Sequence, residues 1–302
     1  MKLSVVVPCY NEALSLNEFY DSLSLALKEN KISYELIMVD DGSSDDTYQK
    51  LLDLNKMDKN VKIISFSRNF GKEQAMYAGL NYASGNYVAI MDADLQHTPK
   101  TLIEMYNKLV ENKDYDVVCA YKAHRADEGS IKRTLTSLFY KINNKISDVK
   151  LLPGASDFRV FTKDVCNAIL SFKEKTRFSK GIFSWIGFNT IYVPYTPERR
   201  MHGTSKWPIF KLVKYSLGGI ISFSTLPIKT VFVVGILIFL IGLINFVLMG
   251  NLSHRTIILF IGFVMLCIGV IALYISRIYS NLLDRPTYII KNKIGFTFKN
   301  EK

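Results

Sequence analysis

The chain has 302 residues, a formal net charge of +11 and four cysteines, Cys9, Cys119, Cys166 and Cys267. The length holds one good-sized α/β domain plus something smaller, while the scattered cysteines exclude a zinc cluster and suit a reduced, cytosolic catalytic portion. The basic balance fits an anionic partner, whether nucleic acid, a membrane surface or phosphate substrates, and does not choose among them.

Lys2 and the short apolar run Leu3–Val7, ended by Pro8, have no cleavage site after them. They read as a first strand, not a signal peptide, so the main domain is expected to stay on the side where it is made. Glu35–Val39, Val61–Phe66, Tyr87–Met91 and Asp116–Ala120 are further β-rich runs, with helical patterns at Leu14–Lys28, Glu73–Ala83 and Thr101–Val110. Strands alternating with helices predict a mostly parallel, doubly wound sheet. Ligands bind such sheets beyond the carboxyl ends of the strands.

Polar clusters stand at those ends. Pro8-Cys9-Tyr10-Asn11-Glu12 follows the first strand, and Tyr10 is a ring able to stack on a base. Asp40-Asp41-Gly42-Ser43-Ser44-Asp45 follows the second. A capped turn accounts for Gly42 and the serines. It leaves two adjacent carboxylates, which suit a base N–H or ribose hydroxyls. Ser67-Arg68-Asn69-Phe70-Gly71-Lys72 follows the third and opens a helix, where Arg68 and Lys72 suit phosphates. Asp92-Ala93-Asp94 follows the fourth. Two carboxylates so spaced splay around one hard cation, magnesium or manganese, that bridges a pyrophosphate and neutralises a departing nucleoside diphosphate. A solvated loop is the bland alternative.

Tyr121–Ser137 carries Lys122, His124, Arg125, Lys132 and Arg133 beside the apolar Leu135, Leu138 and Phe139. A basic cluster next to an apolar helix face suits an anionic headgroup on a greasy chain, against the plainer reading of a solvated basic loop. Trp207–Ser224 mixes Lys211 and Lys214 with apolar residues, as an interfacial helix does, although an ordinary domain helix has the same pattern. Thr230–Met249 and Ile257–Ile275 are uncharged. Each matches the roughly 20 residues that cross a bilayer core of about 30 Å. Gly250–Thr256 joins them into a hairpin. Lys206, Lys211, Lys214 and Lys229 precede it and Arg277, Arg285, Lys291 and Lys293 follow, whereas the connection holds only His254 and Arg255. The positive-inside bias puts the first domain and the tail in the cytoplasm. The expected divisions are a catalytic domain over 1–205, an interfacial region over 206–228, the hairpin over 229–278 and a tail over 279–302.

The ordered set Pro-x-Tyr-Asn-Glu, Val-Asp-Asp-Gly-Ser-x-Asp, Ser-Arg-Asn-x-Gly-Lys and Asp-Ala-Asp-Leu-Gln, each at a strand end, resembles the inverting GT-A glycosyltransferases of family 2. It is most similar to their polyprenyl-phosphate branch, the dolichyl-phosphate mannose synthases and bacterial undecaprenyl-phosphate glycosyltransferases. The resemblance covers the whole chain, including the hairpin and Asp284-Arg285-Pro286-Thr287-Tyr288-Ile289. It implies a Rossmann-like GT-A domain in which Pro8, Tyr10, Asn11, Glu12 and Asp41, with Asp40 beside them, face the nucleoside. Arg68 and Lys72 serve the donor phosphates. Asp92, Asp94 and Gln96 surround Mg2+ or Mn2+ and the diphosphate, with Ala93 in contact with the nucleotide sugar. His97-Thr98-Pro99 stands where the family often has an acidic residue and a proline, which leaves the role of His97 open. Arg200-Met201-His202-Gly203-Thr204-Ser205-Lys206 matches a late element whose Arg200 and Lys206 grip the diphosphate on loop closure; a basic juxtamembrane stretch is its plainer reading.

By the same resemblance Lys122 or Arg125, with Arg133 and Ser137, bind the lipid phosphate. That phosphate is the expected nucleophile, mostly dianionic near neutral pH because its second pKa is ~6. Asp157, in Ser156-Asp157-Phe158-Arg159, is the candidate base or orienting carboxylate, or merely a partner of Arg159 or another basic side chain. The implied reaction moves a hexose, glucose or N-acetylhexosamine, from a UDP-sugar to undecaprenyl phosphate with inversion, at the bacterial cytoplasmic membrane. The implied partners are a homo-oligomer, with a tetramer as one form, a separate flippase and a downstream transferase. A processive synthase would need more membrane helices and a Gln-x-x-Arg-Trp element, neither of which is present. A non-catalytic adaptor would be expected to have lost Asp92, Asp94, Arg200 or Lys206. No nucleic-acid motif accompanies the charge, so no nucleic-acid partner is expected.

Overall fold

The computed structural model describes residues 1–122, 130–147, 149–175, 177–196, 198, 218–249 and 254–296. One sheet organises them: β1 (Lys2–Cys9), β2 (Ser33–Asp40), β3 (Val61–Phe66), β4 (Tyr87–Ile90), β5 (Val117–Lys122), β6 (Ala155–Thr162), β7 (Thr190–Tyr195) and β8 (Ile290–Ile294). The order across it is β7-β5-β6-β4-β1-β2-β3-β8. β1 pairs in parallel with β2 and β4, β2 with β3, and β5 with β7, whereas β6 and β8 run antiparallel to their neighbours. The expected mostly parallel GT-A sheet is therefore present. Chain order reverses at β1, where β2 leaves on one side and β4 on the other, and a crevice opens at such a point.

The strands β1 to β4 are buried on both faces, which is why they read as nearly unbroken apolar runs. On one face Leu3, Val5 and Val7 pack against α1 (Leu16–Glu29) and α4 (Pro99–Glu111), through Phe19, Leu23, Leu102 and Met105. On the other, Val6, Ile37 and Ile90 meet α3 (Lys72–Tyr82), α6 (Lys163–Ser171) and α7 (Ser179–Trp185), through Ala75, Ile169 and Ile182. Local chemistry sets the helix starts: the Thr98 side chain accepts from Thr101 N ahead of Pro99, and Thr162 caps α6 in the same way. Gly79 lets α3 ride low over β1, since a Cβ there would stand 2.2 Å from Val6 Cγ1. At the floor of the sheet Glu35 accepts from Lys62 at 2.6 Å and Lys2 at 2.9 Å. Burial pushes its pKa up, but hydrogen bonds from Lys62, Ser4, Lys2 and Ser84 outweigh that and hold it at about 2.

α2 (Thr47–Met57) completes the first half, and α5 (Ser130–Ile146) lies between β5 and β6 in sequence. Then come α8 (Leu226–Met249) and α9 (His254–Leu282), each longer than the uncharged run in the sequence. Both are long and apolar enough to cross a membrane, and the windows that qualify are not buried in the protein. Phe232, Phe239, Val247, Met265 and Leu282 all point outward. Within the expected tail over 279–302, β8 pairs with β3 from Ile63↔Ile294 to Phe66↔Ile290. Its alternation of Ile with Lys and Asn is too short and too charged to stand out as a strand. Residues 218–223 are helical, and the rest of the expected interfacial helix lies outside the described residues.

Candidate active site

The four polar clusters converge at the crevice, and the backbone shows how. Asn11 adopts φ 52, a left-handed conformation that turns the chain sharply after β1. It is held there by Asn11 N donating to Ser43 Oγ at 3.0 Å and by Asn11 Oδ1 accepting from Ser44 N at 2.9 Å. Glu12 N donates to Thr47 Oγ1 at 2.8 Å. Pro8 closes the strand half-buried, and Tyr10 keeps 37% of its surface exposed at the rim.

The two carboxylates that a plain turn did not explain have structural work. Asp40 accepts from Ser43 N at 3.0 Å and Ser65 Oγ at 2.8 Å. Asp41, only 3% exposed, accepts from Phe70 N at 2.7 Å and Gly71 N at 2.9 Å. Asp41 thus anchors the 67–72 loop from behind. Burial pushes its pKa up to about 6, with Asp40 adding to the rise and the two backbone N–H groups opposing it. Gly42, at φ 66, sits under that loop; a Cβ would meet Arg68 C at 2.3 Å. Arg68 is exposed, its guanidinium 4.5 Å from the Phe70 ring.

Lys72 is the hinge of the site. Its Nζ lies 2.7 Å from Asp92 Oδ1 and 3.2 Å from Asp157 Oδ2. Burial alone would lower its pKa, but Asp92 and then Asp157 outweigh it and keep the ammonium charged far above its ordinary range. Asp157 faces the opposite pull: burial raises it, and Lys72, Lys180 and Arg159 together hold it well below the carboxylate range. Asp157 therefore pairs with Lys72. Lys72 is thus the basic partner that the plainer reading of Asp157 allowed, while Arg159 donates its hydrogen bond to the Ser156 carbonyl at 2.9 Å.

Leu95 takes φ 62, rare for a branched side chain, and so reverses the chain after Asp94. Asp94 Oδ1 accepts from Gln96 N at 3.2 Å, and Ala93 is buried beneath. The same turn folds His97 back to accept from Asp92 N through Nδ1 at 3.3 Å. Its ring stacks on Phe158 with centroids 4.5 Å apart and meets Tyr195 edge-on. Burial lowers its pKa, so the imidazole is neutral and acts as a wedge behind Asp92.

A divalent ion that keeps positions for phosphate oxygens needs only one or two protein carboxylates. Asp92 and Asp94 share one strand tip, with Gln96 beside them, and a lysine ammonium already lies against Asp92. The donor set fits. Among the described residues no three His, Cys, Asp or Glu enclose a metal, so donor oxygens would have to complete its shell. Glu198 N donates to the Gln96 carbonyl at 3.3 Å, so the chain leading to Arg200 starts beside this tip. Arg200, Lys206 and Arg125 lie outside the described residues, as does the side chain of Arg133. Lys122 ends β5 half-buried. Ser137 is exposed on α5 and lines an open hollow with Thr134, Leu138 and Lys141.

The profile of glycosyl transferase family 2 matches residues 4–170. An uncharacterised glycosyltransferase of Synechocystis sp. is 38% identical over 99% of this chain and 97% of its own. The bactoprenol glucosyl transferase of Shigella phage SfV is 38% identical over 97% of this chain and 99% of its own. Among solved structures, the glucosyl-3-phosphoglycerate synthase of Mycobacterium tuberculosis, in complex with Mn2+, UDP-glucose and phosphoglyceric acid, shares the fold. Its TM-score is 0.50 at 19% identity, over 73% of this chain and 77% of that one. With the crevice at the β1 switch point and its carboxylate cluster, these likenesses make the chain a glycosyltransferase of family 2.

Proposed function

We propose that this glycosyltransferase moves glucose from UDP-glucose to undecaprenyl phosphate at the bacterial cytoplasmic membrane, with inversion. The observation that carries the reading is the Lys72–Asp92–Asp157 cluster, set between a nucleoside-side wall on β1 and β2 and the strands β6, β5 and β7. The full-length likeness to bactoprenol glucosyl transferases supports the sugar and the acceptor class.

Tyr10 stacks on the uracil, and the loop that Asp41 anchors carries Arg68 and Lys72 to the diphosphate. Asp92, Asp94 and Gln96 would hold Mg2+ or Mn2+, which would supply positive charge to neutralise the leaving UDP. The Lys72 side chain, whose ammonium lies against Asp92, can turn toward a donor phosphate oxygen. Lys72, Lys180 and Arg159 favour the ionised form of Asp157. Its role is to orient the attacking phosphate, which already carries its negative charge and needs positioning more than a base. Attack from the side opposite UDP turns an α-linked donor into a β-linked lipid phosphoglucose. α8 and α9 span the membrane and keep the acceptor at hand, with a flippase and a transferase on the far side as successors.

The test is transfer of label from nucleotide sugars into the organic phase, using purified protein, undecaprenyl phosphate and Mn2+ or Mg2+. Metal-dependent glucolipid is expected from UDP-glucose, and Asp94→Ala should lower it by about 100-fold or more. Label that stays in the aqueous phase with every donor, from protein that still binds UDP, would defeat the assignment.

A further inference from the structure

Lys72 opens α3, so the reach of its ammonium to Asp92 and Asp157 depends on where the first turn of that helix stands. Asp41 holds the turn on its upstream side, through Phe70 N and Gly71 N. The next residue, Glu73, holds it on the other. α7 begins at Ser179 behind Phe178, whose ring has no acceptor, so the helix lacks a side-chain cap of its own. Glu73 supplies one from α3: Oε2 accepts from Ser179 N at 3.2 Å and from Ser179 Oγ. The carboxylate thus satisfies the start of a helix 106 positions further along the chain and ties α3 to it.

The same stretch of α3 is fixed to the connection between α6 and α7. Gln74, buried, donates from Nε2 to the Lys175 carbonyl at 3.0 Å. Arg177, 6% exposed, donates to the carbonyls of Ile169 at 3.1 Å and Phe172 at 3.0 Å, at the end of α6. Its guanidinium lies 4.2 Å from the Tyr77 ring. An arginine that binds helix-end carbonyls along its edge and an aromatic ring on its face is a rigid cross-link, here of α6 to α3. The connection also meets the C-terminal end of α9, where Lys175 N donates to Asn281 Oδ1 at 3.4 Å. A continuous line of contacts therefore runs from the end of the membrane hairpin, through the connection, to the residue that follows Lys72.

We propose that Glu73 is a positioning residue for Lys72, and that the connection between α6 and α7 is the strut through which the end of α9 supports it. The proposal rests on the reading above that Lys72 serves the donor diphosphate. Glu73 acts through the backbone of Lys72 and not on the donor itself. Without the clamp the first turn of α3 frays, and the lysine spends less time at the crevice.

The test is UDP binding in the presence of Mn2+, by calorimetry on the full chain in nanodiscs, with transfer from UDP-glucose to undecaprenyl phosphate as the second readout. Glu73→Ala should raise the UDP Kd and the UDP-glucose KM about 10-fold, with the acceptor KM unchanged. On charge alone, removing a carboxylate next to a phosphate-binding lysine would tighten UDP, so the direction of the change separates positioning from charge. Glu73→Gln keeps an oxygen for Ser179 and should recover most of the loss. Ser179→Ala removes one of the two donors to Glu73 and should show the same effect in smaller measure, which serves if Glu73→Ala does not fold. Asn281→Ala cuts the strut at its other end; it should weaken UDP binding alone and add nothing to Glu73→Ala. Unchanged UDP affinity in Glu73→Ala, whether or not its melting temperature falls, would overturn the positioning role. Additive effects of Glu73→Ala and Asn281→Ala would overturn the strut. UDP binding needs no acceptor, so wild-type protein that binds UDP and makes no lipid product would overturn the proposed function and not the role of Glu73. Wild-type protein that binds no UDP would overturn both.

Discussion

At the scale of single residues the site is held from behind. Asp41 and His97 do not face outward, yet each fixes a backbone that carries a ligand-facing group. His97 supplies one acceptor to Asp92 N and a flat ring to Phe158. His97→Phe keeps the ring and deletes the acceptor, so the Asp92 amide is left unsatisfied at a cost of about 1–3 kcal/mol. The strand tip loosens, and the Mn2+ concentration for half-maximal activity should rise several-fold while the fold survives. An unchanged metal titration would mean that the wedge is only packing. Asp41 tests the opposite sign. Its pKa is raised to about 6 from 3.8, so the ionised form is disfavoured by folding. Its contribution to stability is fully present below the unfolded value and is lost as pH rises through 6; by linkage that displacement is worth about 3 kcal/mol at most. Asp41→Asn can still accept from Phe70 and Gly71 through its amide oxygen. It should raise the melting temperature relative to wild type at pH 8 and change it little at pH 4. A variant less stable than wild type at pH 8 would show that the backbone contacts need the full charge.

At the scale of elements, what the sequence revealed was local and what it hid was long-range. β1 to β5 were legible because each is an apolar run that ends in a polar tip. The metal tip and the 67–72 loop were legible as motifs, with boundaries within a residue or two. The partnership of Lys72 with Asp157, 85 positions apart, leaves no periodic trace. β8 was hidden by its lysines, and it matters to the site. Ser67 N donates to the Ile289 carbonyl at 3.0 Å, and Tyr288 stacks on Phe66 with centroids 5.0 Å apart. The strand that follows the hairpin thus braces the start of the loop that carries Arg68 and Lys72. Tyr288→Ala should cost about 1–3 kcal/mol. It should raise the UDP-glucose KM several-fold with kcat nearly kept, because the chemistry stays intact and the loop spends less time in place. Hydrogen exchange of the 67–72 amides reports this directly: faster exchange is expected, and unchanged rates would separate the tail from the loop.

At the scale of the whole molecule the sheet constrains the membrane topology. The chain leaves the domain near Ser224, whose hydroxyl donates to the Ile146 carbonyl, passes through α8 and α9, and returns to pair with β3 as β8. A chain that leaves and rejoins one sheet must cross a bilayer an even number of times. Two helices with their apolar surfaces uncovered satisfy that, and burying those surfaces in lipid removes the exposure that water would penalise. On the proposed reading, the lysines and arginines flanking the pair would put the sheet in the cytoplasm. Single cysteines introduced at Glu111, on α4, and at Asn251, in the connection between the helices, give opposite answers to a membrane-impermeant maleimide. In intact cells only Asn251→Cys should label, and in lysed cells both should. The native cysteines are a small background, since Cys9, Cys119 and Cys166 are buried. Labelling of Glu111→Cys in intact cells would invert the orientation. Protection of Asn251→Cys in intact cells followed by labelling after lysis would mean that the helices lie on the cytoplasmic side. The acceptor would then have to be lifted to the site and not met at the membrane surface.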